Sequence, residues 1–244
     1  MLTLDRVNVD IEASHILKDV SLTVGERALV CVIGRNGAGK TTILRTIMGY
    51  LVPRSGAIEF KRRHIVGVAT CDIAQMGLGF SPEDSGVFGD LTVAENIEIS
   101  TWTRLTARSA QERVALAYSV FPELKRYVRR KGAQLSGGER KMLSIARALA
   151  LDPDMLLLDE PFEGLSPAII PAVSTGIHAI TLSGRSILLA ESNIHHVPEY
   201  TDRLYVIERG EIIFAGKPPE VYNNEHIMRI IGGMPTAHPE QRTI

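Results

Sequence analysis

From about residue 28 onward, short aliphatic and β-branched runs alternate with stretches whose apolar positions recur every three or four residues. That alternation predicts a parallel β-sheet covered by helices. Ala28-Leu29-Val30-Cys31-Val32-Ile33 has no polar interruption, so it reads as a strand buried on both faces. Met155-Leu156-Leu157-Leu158 and Ser186-Ile187-Leu188-Leu189-Ala190 read the same way. Ahead of the first of these, Leu2–Val9 and Val20–Val24 predict strands of an antiparallel layer. Near the far end, Arg203–Glu208 and Glu211–Ala215 flank Arg209-Gly210 and predict a hairpin.

Between Leu91 and Ala133 the pattern changes to all-helical. Thr92-Val93-Ala94-Glu95 is a capping box that opens a helix. Arg108–Tyr127 continues at helical spacing through Val114, Ala117, Tyr118 and Phe121. The segment ends in a basic run, Lys125, Arg126, Arg129, Arg130 and Lys131, which reads as a solvated face. A chain of 244 residues fits one core with an insertion. On this reading residues 1–90 and 134–244 form the core and residues 91–133 a helical subdomain.

Composition narrows the picture only a little. Apolar residues at 45% and charged ones at 23% exclude disorder. The net charge of −1 argues against a bulk nucleic-acid or anionic-membrane binder. Cys31 and Cys71 cannot build a disulfide framework and read as free thiols. No apolar run approaches the ~20 residues that span a bilayer, and Met1-Leu2-Thr3-Leu4-Asp5-Arg6 does not resemble a signal peptide. A cytoplasmic chain, held at a membrane only by a partner, is the expectation. The last ten or so residues read as a loose polar tail.

The chemistry is concentrated in three places. Gly34-Arg35-Asn36-Gly37-Ala38-Gly39-Lys40-Thr41 fits G-x-x-x-x-G-K-[ST], with a buried strand before it and a helix carrying Ile43, Leu44 and Ile47 after it. Glycines let the backbone curl so that N–H groups point inward at phosphate oxygens, and the helix N-terminus adds positive potential. Lys40 would reach the β and γ phosphates, the Thr41 hydroxyl would ligand Mg²⁺, and Thr42 closes the loop. Kinases, GTPases and ATPases all use such a loop, so it names no substrate by itself. Asp159 and Glu160 stand at the carboxyl end of a buried strand, where open α/β sheets bind ligands. Asp159 suits Mg²⁺, and Glu160 suits polarisation of the attacking water.

Leu135-Ser136-Gly137-Gly138-Glu139 is the third place. Ser136 and Glu139 form a capping box for a helix with an apolar face of Met142, Ile145, Ala146 and Leu149. Two successive glycines cost a helix about 1 kcal/mol each relative to Ala, so capping does not account for them. They fit a helix tip that something must approach closely, and a phosphate bound on another subunit is the natural candidate.

Together Gly34–Thr41, Leu135–Glu139 and Leu156–Glu160, in this order and spacing, resemble the ATP-binding subunit of an ABC transporter over nearly the whole chain. In finer detail Phe121-Pro122-Glu123-Leu124-Lys125, Gly164-Leu165-Ser166-Pro167 and Ile230-Ile231-Gly232 resemble the branched-chain amino-acid importer type. The resemblance implies an α/β fold: a RecA-like P-loop NTPase core with a mainly parallel sheet, an N-terminal antiparallel β layer and an inserted helical subdomain. It also implies ATP and Mg²⁺ as ligands, a second ATPase subunit (identical or not) and transmembrane permease subunits. In such a head-to-tail pair, Ser136, Gly137, Gly138 and Glu139 meet the nucleotide held by the partner.

Four positions depart from the common family pattern. The adenine-stacking aromatic falls near Asp10-Ile11, where neither Tyr nor Phe stands. The glutamine of the permease-linking loop is Glu83, an oxygen ligand for Mg²⁺ that adds negative charge. The switch histidine is replaced by Ser192, with His195 and His196 following as surface helix residues. The aspartate of the loop crossing to the partner is Ser166. These departures predict an ATPase that is slow alone. They also motivate two other readings: a weakly catalytic regulatory subunit of a transporter, and a soluble ABC ATPase outside transport.

Overall fold

The computed structural model describes residues 1–232, so the polar tail expected at the C-terminus lies outside the described residues. The antiparallel layer consists of β1 (Leu2–Ile11), β2 (Ser14–Val24), β4 (Ser55–Phe60) and β5 (Arg63–His64) in the order β2-β1-β4-β5. The second sheet contains β3 (Leu29–Ile33), β6 (Leu78–Ser81), β7 (Met155–Asp159), β8 (Ser186–Glu191), β9 (Arg203–Glu208) and β10 (Glu211–Gly216). Its order is β10-β9-β3-β8-β7-β6, parallel throughout except for β10. The helices are α1 (Lys40–Ile47), α2 (Thr70–Gln75), α3 (Val93–Glu98), α4 (Ala110–Val120), α5 (Gly137–Ala150), α6 (Ile170–Leu182), α7 (Pro218–Tyr222) and α8 (Glu225–Ile230).

The uninterrupted apolar runs are explained by two cores, one on each face of the parallel sheet. Cys31, Ile33, Leu156, Leu158 and Leu189 point toward α5 and α6. Their neighbours Val30, Val32, Leu157 and Leu188 point the other way, onto α1 and the antiparallel layer. Every residue of β3, β7 and β8 is therefore buried, and period-two alternation of side chains never becomes polar alternation in sequence. At the C-terminal hairpin, Arg209 and Gly210 both take positive φ (49° and 86°), the backbone a tight two-residue turn requires.

The elements between Leu91 and Ala133 are all helical, and the Thr92/Glu95 box caps α3. The helical spacing over Arg108–Tyr127 is realised as two pieces. A second capping box, Ser109 with Glu112, opens α4, which stops at Val120. Pro122 follows, and the residue before a proline is pushed out of the helical region. Phe121 accordingly has φ −124° and ψ 75°, and a 3₁₀ turn over Pro122–Tyr127 continues the chain. Among the described residues no helix is long and apolar enough to cross a membrane.

Candidate functional site

The glycine-rich loop leaves β3, and α1 leaves the loop. Gly39, at φ 116°, precedes α1 and offers no side-chain cap, so the first N–H groups of the helix are available to an anion. Gly34 is required by packing, since a Cβ there would lie 2.3 Å from the Ile207 carbonyl oxygen. Arg35, Asn36 and Gly37 are exposed at the loop's rim, Ala38 is buried beneath it, and Thr41 and Thr42 are half-buried.

Lys40 is buried to 5% exposure, and its three ammonium protons are committed. Nζ donates to the carbonyls of Gly34 (2.8 Å) and Arg35 (3.1 Å) and lies 3.1 Å from Glu160 Oε1. The other oxygen of Glu160 accepts from the Ser192 N–H (3.1 Å) and the Ser192 hydroxyl (3.0 Å). Ser192 therefore fixes the carboxylate of Glu160. A phosphate entering the loop must take donors from Lys40, and the charged acceptor that Lys40 would give up is Glu160.

Asp159 lies beside this pair. The Thr41 hydroxyl donates to Asp159 Oδ1 at 3.2 Å, while Oδ2 is buried without a partner. Burial pushes the Asp159 carboxyl up to about 6, against the Thr41 bond, with Glu83 and Glu160 adding to the rise. An orphaned carboxylate oxygen next to a threonine hydroxyl is an oxygen donor set that fits Mg²⁺. Among the described residues no group of three or more His, Cys, Asp and Glu converges on a cation, so phosphate or water oxygens would have to complete its shell. Glu83 is exposed and lines one open cleft of about 1050 Å³ together with Thr41 and Asp159.

Ser136, Gly137, Gly138 and Glu139 form the first turn of α5. Ser136 Oγ accepts from the Glu139 N–H at 3.3 Å, and Glu139 Oε2 accepts from the Ser136 N–H at 2.7 Å. The two glycines separate in purpose. A Cβ on Gly137 would meet nothing within 4 Å, whereas one on Gly138 would lie 2.7 Å from Ile169 Cγ2. Packing within the subunit therefore accounts for Gly138 but places no demand on Gly137. Ser166 is exposed, and its carbonyl accepts the Ile169 N–H, so it lies on the loop that supports this helix tip. Ile11 is 40% exposed at the end of β1.

Three side chains near the centre were not anticipated. Lys141 is 3% exposed, and Nζ donates to the Glu83 carbonyl at 2.7 Å and, more weakly, to those of Pro82 and Asp159. It ties α5 to the ends of β6 and β7, and burial lowers its pKa. Its signal in the sequence was its place four residues before Ile145, on the buried stripe of α5. Glu191 is buried at the end of β8, in a run that reads as purely apolar up to that residue. His196 is not the surface helix residue expected. It ends a 3₁₀ turn, Ile194–His196, is half-buried, and packs on Phe162 with ring centroids 5.5 Å apart, whereas His195 is exposed as expected.

A glycine-rich loop at the carboxyl end of the interior strand β3, with an acidic pair at the carboxyl end of β7 one strand beyond β8, defines a P-loop nucleotide-binding protein. A family model described as "ABC transporter" matches residues 17–163. The chain is 32% identical, over 96% of its length and 99% of the relative's, to a probable branched-chain amino acid transport ATP-binding protein, LivF, of Archaeoglobus fulgidus. It is also 32% identical, over 96% of its length and 97% of the relative's, to the lipopolysaccharide export system ATP-binding protein LptB of Haemophilus influenzae. Among solved structures, the ADP conformation of MJ1267, an ATP-binding cassette of an ABC transporter, superimposes with a TM-score of 0.82 at 25% identity. That alignment covers 96% of this chain and 99% of the other. The chain belongs to the ABC transporter family and is an ABC-type ATPase.

Proposed function

We propose that this chain is the ATP-hydrolysing subunit that energises an ABC importer for branched-chain or other hydrophobic amino acids, or for related amides or urea. One observation carries the energising role. The Lys40, Thr41, Asp159 and Glu160 side chains converge, while the Ser136–Gly137 helix tip stands exposed with space above Gly137. The importer assignment is supported by the likeness to LivF and by the Gly164-Leu165-Ser166-Pro167 and Phe121–Lys125 segments.

In this reading the loop N–H groups from Gly34 to Thr42 and the Lys40 ammonium bind the β and γ phosphates. Lys40 exchanges its bond to Glu160 for phosphate oxygen, and the freed Glu160 oxygen accepts a proton from the attacking water. Ser192 holds the remaining oxygen of that carboxylate. Thr41, Asp159 and Glu83 would hold Mg²⁺, which neutralises developing phosphate charge when bound. The Ser136–Glu139 tip closes over nucleotide held by a second cassette subunit. Ile11 and Ser192 make this half-site incomplete, which favours a different subunit as partner over an identical one. Residues 91–133 form a helical subdomain on the core of 1–90 and 134–244, and with the Glu83 loop it transmits closure to membrane permease subunits. The chain works on the cytoplasmic face of the membrane through that permease.

The test is co-purification with the permease followed by steady-state phosphate release. Stimulation by a branched-chain amino acid delivered to the complex supports the proposal. Stimulation only in a lipopolysaccharide-exporting complex assigns the chain to LptB-like export. Nucleotide binding with no release from any assembled complex assigns it to regulation.

A further inference from the structure

The end of β8 carries a carboxylate that the reaction above does not use. The main chain of Glu191 accepts the N–H of Gly34, the first residue of the phosphate loop, at 3.2 Å. Its side-chain Oε1 accepts the N–H of Phe162 at 3.3 Å. Phe162 lies two residues beyond Glu160, so a single residue fastens both the loop and the turn that bears Glu160. That turn needs fastening, because Glu160 sits at φ 46°, a left-handed conformation unfavourable to residues with a Cβ.

The outer oxygen, Oε2, makes no hydrogen bond and stands 3.5 Å from His196 Nδ1, itself without a hydrogen-bond partner. The imidazole rests on the Phe162 ring, so it touches both ends of the Glu191–Phe162 link. Burial pushes the Glu191 carboxyl up, and the nearby Glu191 carboxylate draws the imidazole up from its ordinary value. The groups facing the imidazole are acidic: Glu191 from β8, and Glu160 and Glu163 from the turn after β7. On its open side His196 lines a cleft of about 310 Å³ with His195, Glu199 and Tyr200, which gives it access to solvent protons. Behind Glu191 the chargeable groups are Lys141 of α5 and Cys31 of β3.

Resting on Glu160 as the base, we propose that Glu191 and His196 act as a positioning pair, the protonated imidazole holding the Glu191 carboxylate on the Phe162 N–H and so fixing the backbone from which Glu160 projects. Neither residue touches nucleotide. When His196 loses its proton, Glu191 is left as a buried anion facing Glu160, and the link loosens. Hydrolysis then slows as pH rises through the titration of His196, while phosphate binding by the loop persists.

The experiment measures phosphate release by the full-length chain assembled with its partner cassette and permease from about pH 6 to about pH 9, beside the Kd for ATP with Mg²⁺. Glu191→Ala is expected to lower kcat about tenfold while Kd stays within about twofold, as for a misplaced catalytic group. Glu191→Gln keeps an acceptor for the Phe162 N–H, so it restores most of the rate but loses the alkaline decline. His196→Gln loses the same decline. Should Glu191→Ala fail to fold, the two glutamine variants carry the test. If they keep the wild-type rate and pH profile while Glu160→Gln is inactive, the positioning pair is refuted and the base stands. A Glu160→Gln chain that hydrolyses at the wild-type rate refutes the base assignment instead.

Discussion

Replacing Glu160 by glutamine separates the two roles proposed for its side chain. Among the described residues the carboxylate is the only charged acceptor of Lys40, at 3.1 Å, and both groups are buried, at 4% and 5% exposure. As a base, a positioned carboxylate contributes about 10²- to 10⁴-fold to rate, and the amide contributes none of it. As a competitor for Lys40, the carboxylate opposes phosphate binding. A hydrogen bond to a charged group contributes about 1.5–3 kcal/mol and a neutral one about 1 kcal/mol. Substitution therefore lowers the cost of releasing Lys40 by about 1 kcal/mol, which corresponds to roughly fivefold tighter ATP binding. Phosphate release and equilibrium titration with a fluorescent ATP analogue measure the two effects separately. The rate is expected to fall at least a hundredfold and the Kd to fall with it. An unchanged rate refutes the base, and a Kd that rises refutes the competition for Lys40.

Ser192→Ala removes one of two donors on Glu160 Oε2 and is expected to slow hydrolysis about tenfold, with ATP affinity retained. Gly138→Ala drives a Cβ against Ile169 and should cost about 1–3 kcal/mol in thermal unfolding. Gly137→Ala, facing open space at a helix position, should not lower the melting temperature and should raise it by up to about 2–4 °C. Burial pushes the Asp152 carboxyl up, but Arg108 and Arg185 outweigh it and hold it below its ordinary value. Its stabilising contribution is therefore present above the unfolded pKa and lost as pH falls through the lower folded one. Asp152→Asn is expected to destabilise the chain by about 1 kcal/mol near neutral pH. Denaturant unfolding should show the deficit shrinking in acid.

What was legible in the sequence was whatever local rules decide. Buried strands announced themselves as unbroken apolar runs, and the Thr92 and Ser136 caps as serine or threonine three residues before glutamate. The phosphate loop was legible because its glycines and lysine stand at fixed spacing between a strand and a helix. What was missed depends on neighbours distant in sequence. Pro122 split the helical spacing that runs to Tyr127, although a proline inside the pattern was the available warning. The antiparallel partners β4 and β5 have weak alternation and are defined by pairing with β1. Gly138 needed Ile169, thirty-one positions on, to explain it. Lys141, Glu191 and His196 acquire roles only when α5, β7 and β8 converge, and no spacing rule connects a strand-end glutamate to an amide at position 162.

In the proposed assembly, the site around nucleotide held by one cassette is completed by the Ser136–Gly137 helix tip of another. The most direct measurement is sedimentation velocity of the Glu160→Gln chain with its partner cassette, with and without ATP and Mg²⁺, repeated after adding Gly137→Glu. ATP-dependent association is expected, abolished by Gly137→Glu while each subunit still binds nucleotide, because position 137 is open and its substitution spares the fold. Association that persists unchanged with a carboxylate at position 137 would contradict that assembly.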